Sequence, residues 1–245
     1  MAKIYAALID LQQAWDSVDG VKAIRELAVA GIDGLHLDAI INGASEQEVS
    51  SSTFLPAETS RLVGMVKRFR PDMAVDVHLF PTSFISANSR YMPTLIDDYR
   101  SVGATAIILP YEAYKRGAQA GRDMLAEHLK RIKQHGETKP AKAGVSFTHA
   151  EITRELLADV GVMLKICAHI DYFHLQGQMY DTGAMVRLKE LSGRYARASK
   201  LMADGGVTER NAKQLSDAGA EILVMGEALL KSPALYLKQL RRQLV

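Results

Sequence analysis

The sequence contains a single cysteine, Cys167, among its 245 residues, so an intrachain disulfide is impossible. Cys167 lies in an apolar run, and we expect it to be a buried, inert thiol rather than a reactive one. Hydrophobic residues make up 48% of the chain, which is enough to bury one sizeable core. A stabilising hydrophobic core is therefore expected, without covalent cross-links.

Long apolar runs and blocks of like charge are also lacking. No run reaches the length that spans a bilayer, and the apolar stretch from Met1 to Asp10 is typical of a β-strand rather than a signal peptide. We therefore expect a cytoplasmic protein with no membrane partner. The formal net charge is +2 with 24% charged residues, and no block of one sign indicates a nucleic-acid-binding face.

The chain instead shows a repeated alternation of short β-rich runs with longer runs of helical periodicity. Such alternation predicts parallel βαβ units, and eight of them predict an α/β fold, a single (β/α)8 TIM barrel over residues 1–245. An open doubly wound sheet is the alternative. The predicted strands are Ile4 to Ile9, Gly34 to Ile40, Met73 to Phe80, Ala106 to Leu109, Lys142 to Phe147, Ile170 to Leu175, Leu201 to Ala203 and Ile222 to Met225.

Polar residues stand at the ends of three predicted strands, where such barrels carry their active sites. Strand two ends with His36 and Asp38, strand three with Asp76 and His78, and strand seven with Asp204. Residues two apart in a strand share a face, so each of the first two pairs points the same way. Buried imidazoles and carboxylates are costly unless paired or bound to a metal. They predict a site for a first-row divalent ion, with hydrogen-bonded core residues as the alternative.

Three other residues near the strand ends are candidates for contact with a substrate. Gly205 and Gly206 precede a helix N-terminus, a position that suits an anion. His174 lies on the sixth predicted strand, inside the expected barrel. It would hydrogen-bond the substrate or help to move a proton, and the alternative is a core histidine with satisfied hydrogen bonds.

The motifs on strands two, three, seven and eight resemble those of the ribulose-phosphate 3-epimerase family, in this order and spacing. The chain is identified on this basis as a divergent member of that family, within the ribulose-phosphate-binding barrel superfamily. The motifs are His36-Leu37-Asp38, Asp76-Val77-His78-Leu79, Asp204-Gly205-Gly206-Val207, Ala218-Gly219-Ala220, Val224-Met225-Gly226 and Ala228-Leu229-Leu230.

The resemblance implies a metal-dependent epimerase that inverts the carbon next to the ketone of a ketose, a pentulose or hexulose phosphate. His36, Asp38, His78 and Asp204 would hold one divalent ion, Zn, Fe, Mn or Co. Asp38 and Asp204 would also be the acid and base on opposite faces of an enediolate, whose charge a cation stabilises. Gly177 and Gly226 would contact the phosphate. The family resemblance also implies a homo-oligomer.

The chain departs from the family pattern around the expected phosphate site. The loop after strand six keeps Gly177 but contains an acid, Asp181, and the usual Gly-Ser after strand eight is replaced by Gly226-Glu227. A carboxylate beside a phosphate is unfavourable unless it points away. Two alternatives therefore stay open: a same-fold isomerase, aldolase or decarboxylase acting on a related sugar, and a catalytically inactive sugar-binding homologue.

Overall fold

The computed structural model describes residues 1–11, 15–41, 54–81, 87–88, 90–134, 140–148, 172–176 and 200–245. For residues 172–176 it describes the backbone alone. The predicted helices near Glu151 and from Met185 to Tyr195 lie outside these residues, as does Cys167. The prediction that residues 1–245 form a single domain stays a prediction.

The strands form one closed parallel barrel in the order β1 to β8. The closing contact is between the first and last strands, where Tyr5 pairs with Val224. The predicted TIM barrel is therefore confirmed, and the open sheet is excluded. The strands are β1 (Lys3–Ala7), β2 (Gly34–Ile41), β3 (Ala74–Pro81), β4 (Ala106–Pro110), β5 (Lys142–Thr148), β6 (Tyr172–Gln176), β7 (Lys200–Asp204) and β8 (Ala220–Met225).

Helices follow the strands and cover the outside of the barrel. None of the helices in the described part of the chain combines the length and the apolar character that crossing a bilayer requires. A 3-10 turn covers Ile9–Leu11, and the α-helices are α1 (Val18–Ala30), α2 (Pro56–Phe69), α3 (Met92–Ser101), α4 (Tyr111–Lys115), α5 (Ala118–Lys133), α6 (Ala212–Asp217), α7 (Glu227–Lys231) and α8 (Pro233–Gln243).

The ends of α1 show how the sequence sets helix boundaries. The Ser17 side chain accepts a hydrogen bond from the Gly20 backbone N–H, which caps the first turn. Gly31 ends the helix at φ +85°, a left-handed conformation that glycine adopts without steric cost. The next strand then begins at Gly34, only three residues later.

Strand alternation divides the apolar side chains between two layers. Outward residues such as Leu35, Leu37, Val75 and Val77 are fully buried against the helices. The inward residues form a separate small cluster inside the barrel, and its members are Tyr5, Ala7, Ala106, Ile108, Met202, Ile222 and Val224. Ala7 is in register with His36 and Ile108 with His78, so apolar side chains surround the polar groups within the lumen.

Gly34 is required by the aromatic ring of Tyr5, which is in register with it on the neighbouring strand. A Cβ at position 34 would lie 2.8 Å from Cζ of Tyr5, which is 2% exposed and cannot move aside freely. We expect Gly34→Ala to lower the free energy of unfolding by about 1–3 kcal/mol through overpacking. Gly64→Ala is the matched control, since a Cβ there meets nothing within 4 Å on an exposed helix face. It should stabilise the protein by roughly 0.5–1 kcal/mol. Urea denaturation of both variants tests this, and equal effects would contradict it.

Candidate metal centre

The polar residues of β2 and β3 lie side by side at the carboxyl half of the barrel. The register pairs His36 with Asp76 and Asp38 with His78. Both imidazoles are fully buried, and Asp38 is partly exposed. Parallel pairing in this register places all four side chains on the inner face. The two predicted strand-end pairs therefore form one cluster.

Asp204 joins this cluster because the barrel closes. It is the last residue of β7 and is 6% exposed. Its Oδ2 lies 3.7 Å from Nε2 of His36, and the same Nε2 is 3.8 Å from Oδ1 of Asp38. The same Oδ1 of Asp38 is 3.2 Å from Nδ1 of His78. The structure thus brings together the four residues that the sequence predicted, from three strands.

The donor set and its spacing suit a single metal ion. Ligand atoms of His36, Asp38 and His78 all lie within 4.8 Å of one another. Two atoms bound at about 2.0–2.2 Å to one ion lie roughly 3.0–3.6 Å apart in octahedral or tetrahedral geometry. The observed distances of 3.2 to 3.8 Å between imidazole and carboxylate atoms approach this range. Two imidazole nitrogens with carboxylate oxygens are also a common ligand set for first-row divalent ions.

The electrostatics of the cluster favour an ionised Asp38. Burial raises the pKa of its carboxyl, but the hydrogen bond with His78 and the electrostatic influence of the two neighbouring imidazoles outweigh burial. The charge of Asp204 opposes them, and the net effect is a lowered pKa. At neutral pH Asp38 therefore carries a negative charge, as a metal ligand or a general base requires.

Asp76 lies deeper in the barrel, beside His36. Its Oδ1 accepts a hydrogen bond of 2.9 Å from the Thr105 hydroxyl, which ties the carboxyl to the strand that follows. Burial raises the pKa of Asp76, and the Thr105 hydrogen bond and the electrostatic influence of His36 offset only part of this effect. The position of Asp76 in register with His36 suits a role in orienting that histidine, while its hydrogen bond to Thr105 is structural.

The sequence interpretation missed Ser146, which lies on β5. Its Oγ is 2.8 Å from Nε2 of His78, and the residue is 2% exposed. The same rule that identified the other residues would have found it, because Ser146 is a polar residue near the carboxyl end of an apolar strand. No local spacing pairs it with His78, because 68 residues separate the two in the chain.

A cavity of about 360 Å³ opens directly above the cluster. Its walls are Ala7, Ile9, Asp38, Ile40, Phe80, Asp204, Gly205, Gly206, Val207, Val224 and Gly226. Gly205 and Gly206 adopt φ values of +76° and +62°, which favour glycine and bring their backbone close to the cavity. Three of the predicted substrate-contacting glycines thus lie at this cavity.

Glu227 turns away from the cavity. Its carboxylate forms an ion pair of 2.6 Å with Lys231 one helical turn later, and its side chain is 69% exposed. Gly177 and Asp181 lie outside the described residues. The backbone register places His174 between Ser146 and Met202, while its side chain is outside the described part.

The fold and the cluster define a class: a (β/α)8 barrel with a His/Asp/His group, suited to a metal ion, at the carboxyl ends of its strands. The model of the ribulose-phosphate 3 epimerase family matches residues 14–230 of this chain. The chain belongs to that family, and with it to the epimerase-like carbohydrate isomerases.

Individual relatives agree with the family match. A ribulose-phosphate 3-epimerase from Bacillus subtilis is 25% identical over 215 residues, covering 84% of this chain and 83% of the relative. One from Helicobacter pylori is 31% identical over 85 residues, covering 35% of this chain and 39% of the relative. The crystal structure of 3-keto-L-gulonate-6-phosphate decarboxylase from Vibrio cholerae superposes with a TM-score of 0.64 at 13% identity, covering 99% and 97% of the two chains. At that identity, the last similarity concerns the fold alone.

Proposed function

We propose that the protein is a metal-dependent epimerase that inverts the carbon next to the ketone of a ketose through an enediolate. His36, Asp38, His78 and Asp204 would hold one divalent ion, Zn, Fe, Mn or Co. The observation that carries the proposal is the position of His36, whose Nε2 lies between Asp38 and Asp204 at 3.8 and 3.7 Å. Two carboxylates on different strands thus flank one point beneath the cavity, as an acid and a base on opposite faces require.

In this proposal Asp38 and Asp204 exchange protons with the substrate carbon. Asp38 is suited to remove a proton because its lowered pKa keeps it ionised. Asp204, at the end of β7, would be protonated at the start and would give its proton to the opposite face of the carbon. A bound divalent ion would supply positive charge that stabilises the developing enediolate. His36 and His78 would fix the two carboxylates in place, since neither imidazole has room to move in the packed barrel.

We propose a pentulose or hexulose phosphate as the substrate. Backbone groups of Gly205, Gly206 and Gly226 line the cavity and would receive the phosphate, with Gly177 completing the site. The main objection to a phosphate was the acid that follows Gly226. That objection is weakened, because Glu227 is ion-paired with Lys231 in solvent and does not face the cavity. His174 would contact the sugar, and a homo-oligomer is expected.

Incubation in deuterium oxide with a panel of ketose phosphates and free ketoses tests the proposed function. We expect a true substrate to gain one deuterium at the carbon beside the ketone as its epimer appears, which NMR and mass spectrometry detect together. Aldolase or decarboxylase activity would instead yield a shorter product, and an isomerase would move the carbonyl. Binding without exchange on any sugar would favour the inactive sugar-binding homologue and contradict the proposal.

A further inference from the structure

Ser146 makes a short, buried contact with a proposed metal ligand from outside the ligand set. Its Oγ lies 2.8 Å from Nε2 of His78, and the other ring nitrogen, Nδ1, is 3.2 Å from Oδ1 of Asp38. Both Ser146 and His78 are almost fully buried, so no solvent replaces this contact. The hydroxyl reaches across from β5 to β3 inside the barrel, past the intervening β4.

The hydrogen-bonding capacity of the two side chains limits which ring nitrogen can bind a metal. A neutral imidazole has one N–H donor and one nitrogen acceptor. When Nε2 carries the hydrogen, the serine oxygen accepts it and the lone pair of Nδ1 points toward Asp38. When Nδ1 carries the hydrogen, it donates to Asp38 and the serine hydroxyl donates to Nε2. A serine hydroxyl serves both arrangements by rotating, whereas a side chain without a hydroxyl serves neither.

We propose that Ser146 is a positioning residue that accepts a hydrogen bond from Nε2–H of the metal-bound His78 and thereby holds the ring with Nδ1 presented to the metal ion. The inference rests on the proposed metal centre and assigns a second partner to one of its ligands. Partners of this kind fix the ring orientation and the tautomer of a histidine ligand, and their loss typically costs 10–100-fold in metal affinity. A serine that only filled space in β5 would have no such effect.

Ser146→Val and Ser146→Thr form a matched pair, because the two side chains have nearly the same shape and only threonine keeps the hydroxyl. The affinity for Co²⁺ is measured by competition with a chelator, with the visible absorption of bound Co²⁺ as the readout. We expect the valine variant to bind Co²⁺ about 10–100-fold more weakly than the threonine variant. Strain from the added methyl group is common to both variants, but the metal-free valine variant should be the less stable one, because it loses the hydroxyl that contacts Nε2 of His78 in a buried site. The Co²⁺ affinities are therefore compared at a temperature where both variants are folded.

A second measurement needs no variant at position 146. In the Zn²⁺-loaded wild type, ¹H–¹⁵N correlation spectra report which nitrogen of each imidazole carries a hydrogen. The signals of His78 are those lost in His78→Gln. We expect the hydrogen on Nε2, and a hydrogen on Nδ1 would overturn the inference even if the position-146 variants failed to fold.

The outcomes separate this inference from the proposed function. If the wild type binds neither Co²⁺ nor Zn²⁺, the metal centre itself is refuted and the role of Ser146 falls with it. If the wild type binds the metal and the valine and threonine variants bind it equally well, Ser146 is only structural and the metal centre stands. A shifted Co²⁺ spectrum in the valine variant, restored in the threonine variant, would support the positioning role directly.

Discussion

Replacing Asp204 with asparagine should lower the rate of epimerisation by at least about a thousandfold, and Asp38→Asn should do the same. Asparagine keeps the shape of the side chain and one oxygen, but it cannot accept and release a proton at neutral pH. Each carboxylate serves a different face of the substrate carbon in the proposed mechanism. Loss of either one therefore stops inversion, whichever epimer is supplied. Initial rates with each epimer measure the effect.

Deuterium exchange without inversion makes this prediction sharper. The Asp204→Asn variant keeps only Asp38, which should still remove and return a proton on one face. This variant should therefore label one epimer without producing the other. The Asp38→Asn variant should label the opposite epimer. Two variants that label the same epimer, or a variant with near-normal epimerisation, would contradict the two-carboxylate mechanism.

Two controls separate proton transfer from metal binding and from the general effect of a lost charge. Metal content is measured for both variants, since a rate loss with the ion retained assigns the defect to proton transfer. Asp16→Asn removes a carboxylate whose side chain is 54% exposed and lies 3.5 Å from Arg61 on the surface. Such exposed ion pairs contribute little, so this variant should keep full activity.

The metal-ligand cluster could be predicted from the sequence because it depends on the spacing of residues within single strands. His36 and Asp38 stand two residues apart at the end of an apolar strand, and strand geometry alone places them on one face. Asp204 was harder to place, since its approach to His36 depends on closure of the barrel between β1 and β8. Nothing in either strand specifies that pairing, which is why an open sheet had to be kept as an alternative.

Contacts between side chains on distant strands could not be predicted. The bond from Ser146 to His78 and the fit of Gly34 beneath the Tyr5 ring both depend on the stagger of neighbouring strands. The orientation of Glu227, by contrast, could have been predicted from the sequence. Glutamate four residues before a lysine on a helix favours an ion pair on the exposed face, and the structure shows that pair with Lys231.

Removal of the metal ion should abolish turnover while leaving the barrel folded. The proton beside a ketone is too weakly acidic for a carboxylate to remove quickly unless positive charge stabilises the enediolate. We expect dialysis against a chelator to reduce the rate at least about a hundredfold, and one equivalent of Zn²⁺, Mn²⁺, Co²⁺ or Fe²⁺ to restore it. The ion should also stabilise the folded protein by about 2.7 kcal/mol when its free concentration is 100 times the dissociation constant.

A pair of buried histidines provides the matched control for the metal prediction. His36 lies at the proposed centre, whereas His128 is on α5 with Nδ1 2.9 Å from the Tyr114 hydroxyl, and burial lowers its pKa to about 4. Both asparagine variants lose a buried imidazole and should be destabilised. Only His36→Asn should lose the bound ion and the stabilisation that the ion provides. If both variants bound one equivalent of metal as tightly as the wild type, His36 would not be a ligand, and the proposed centre would need a different set of residues.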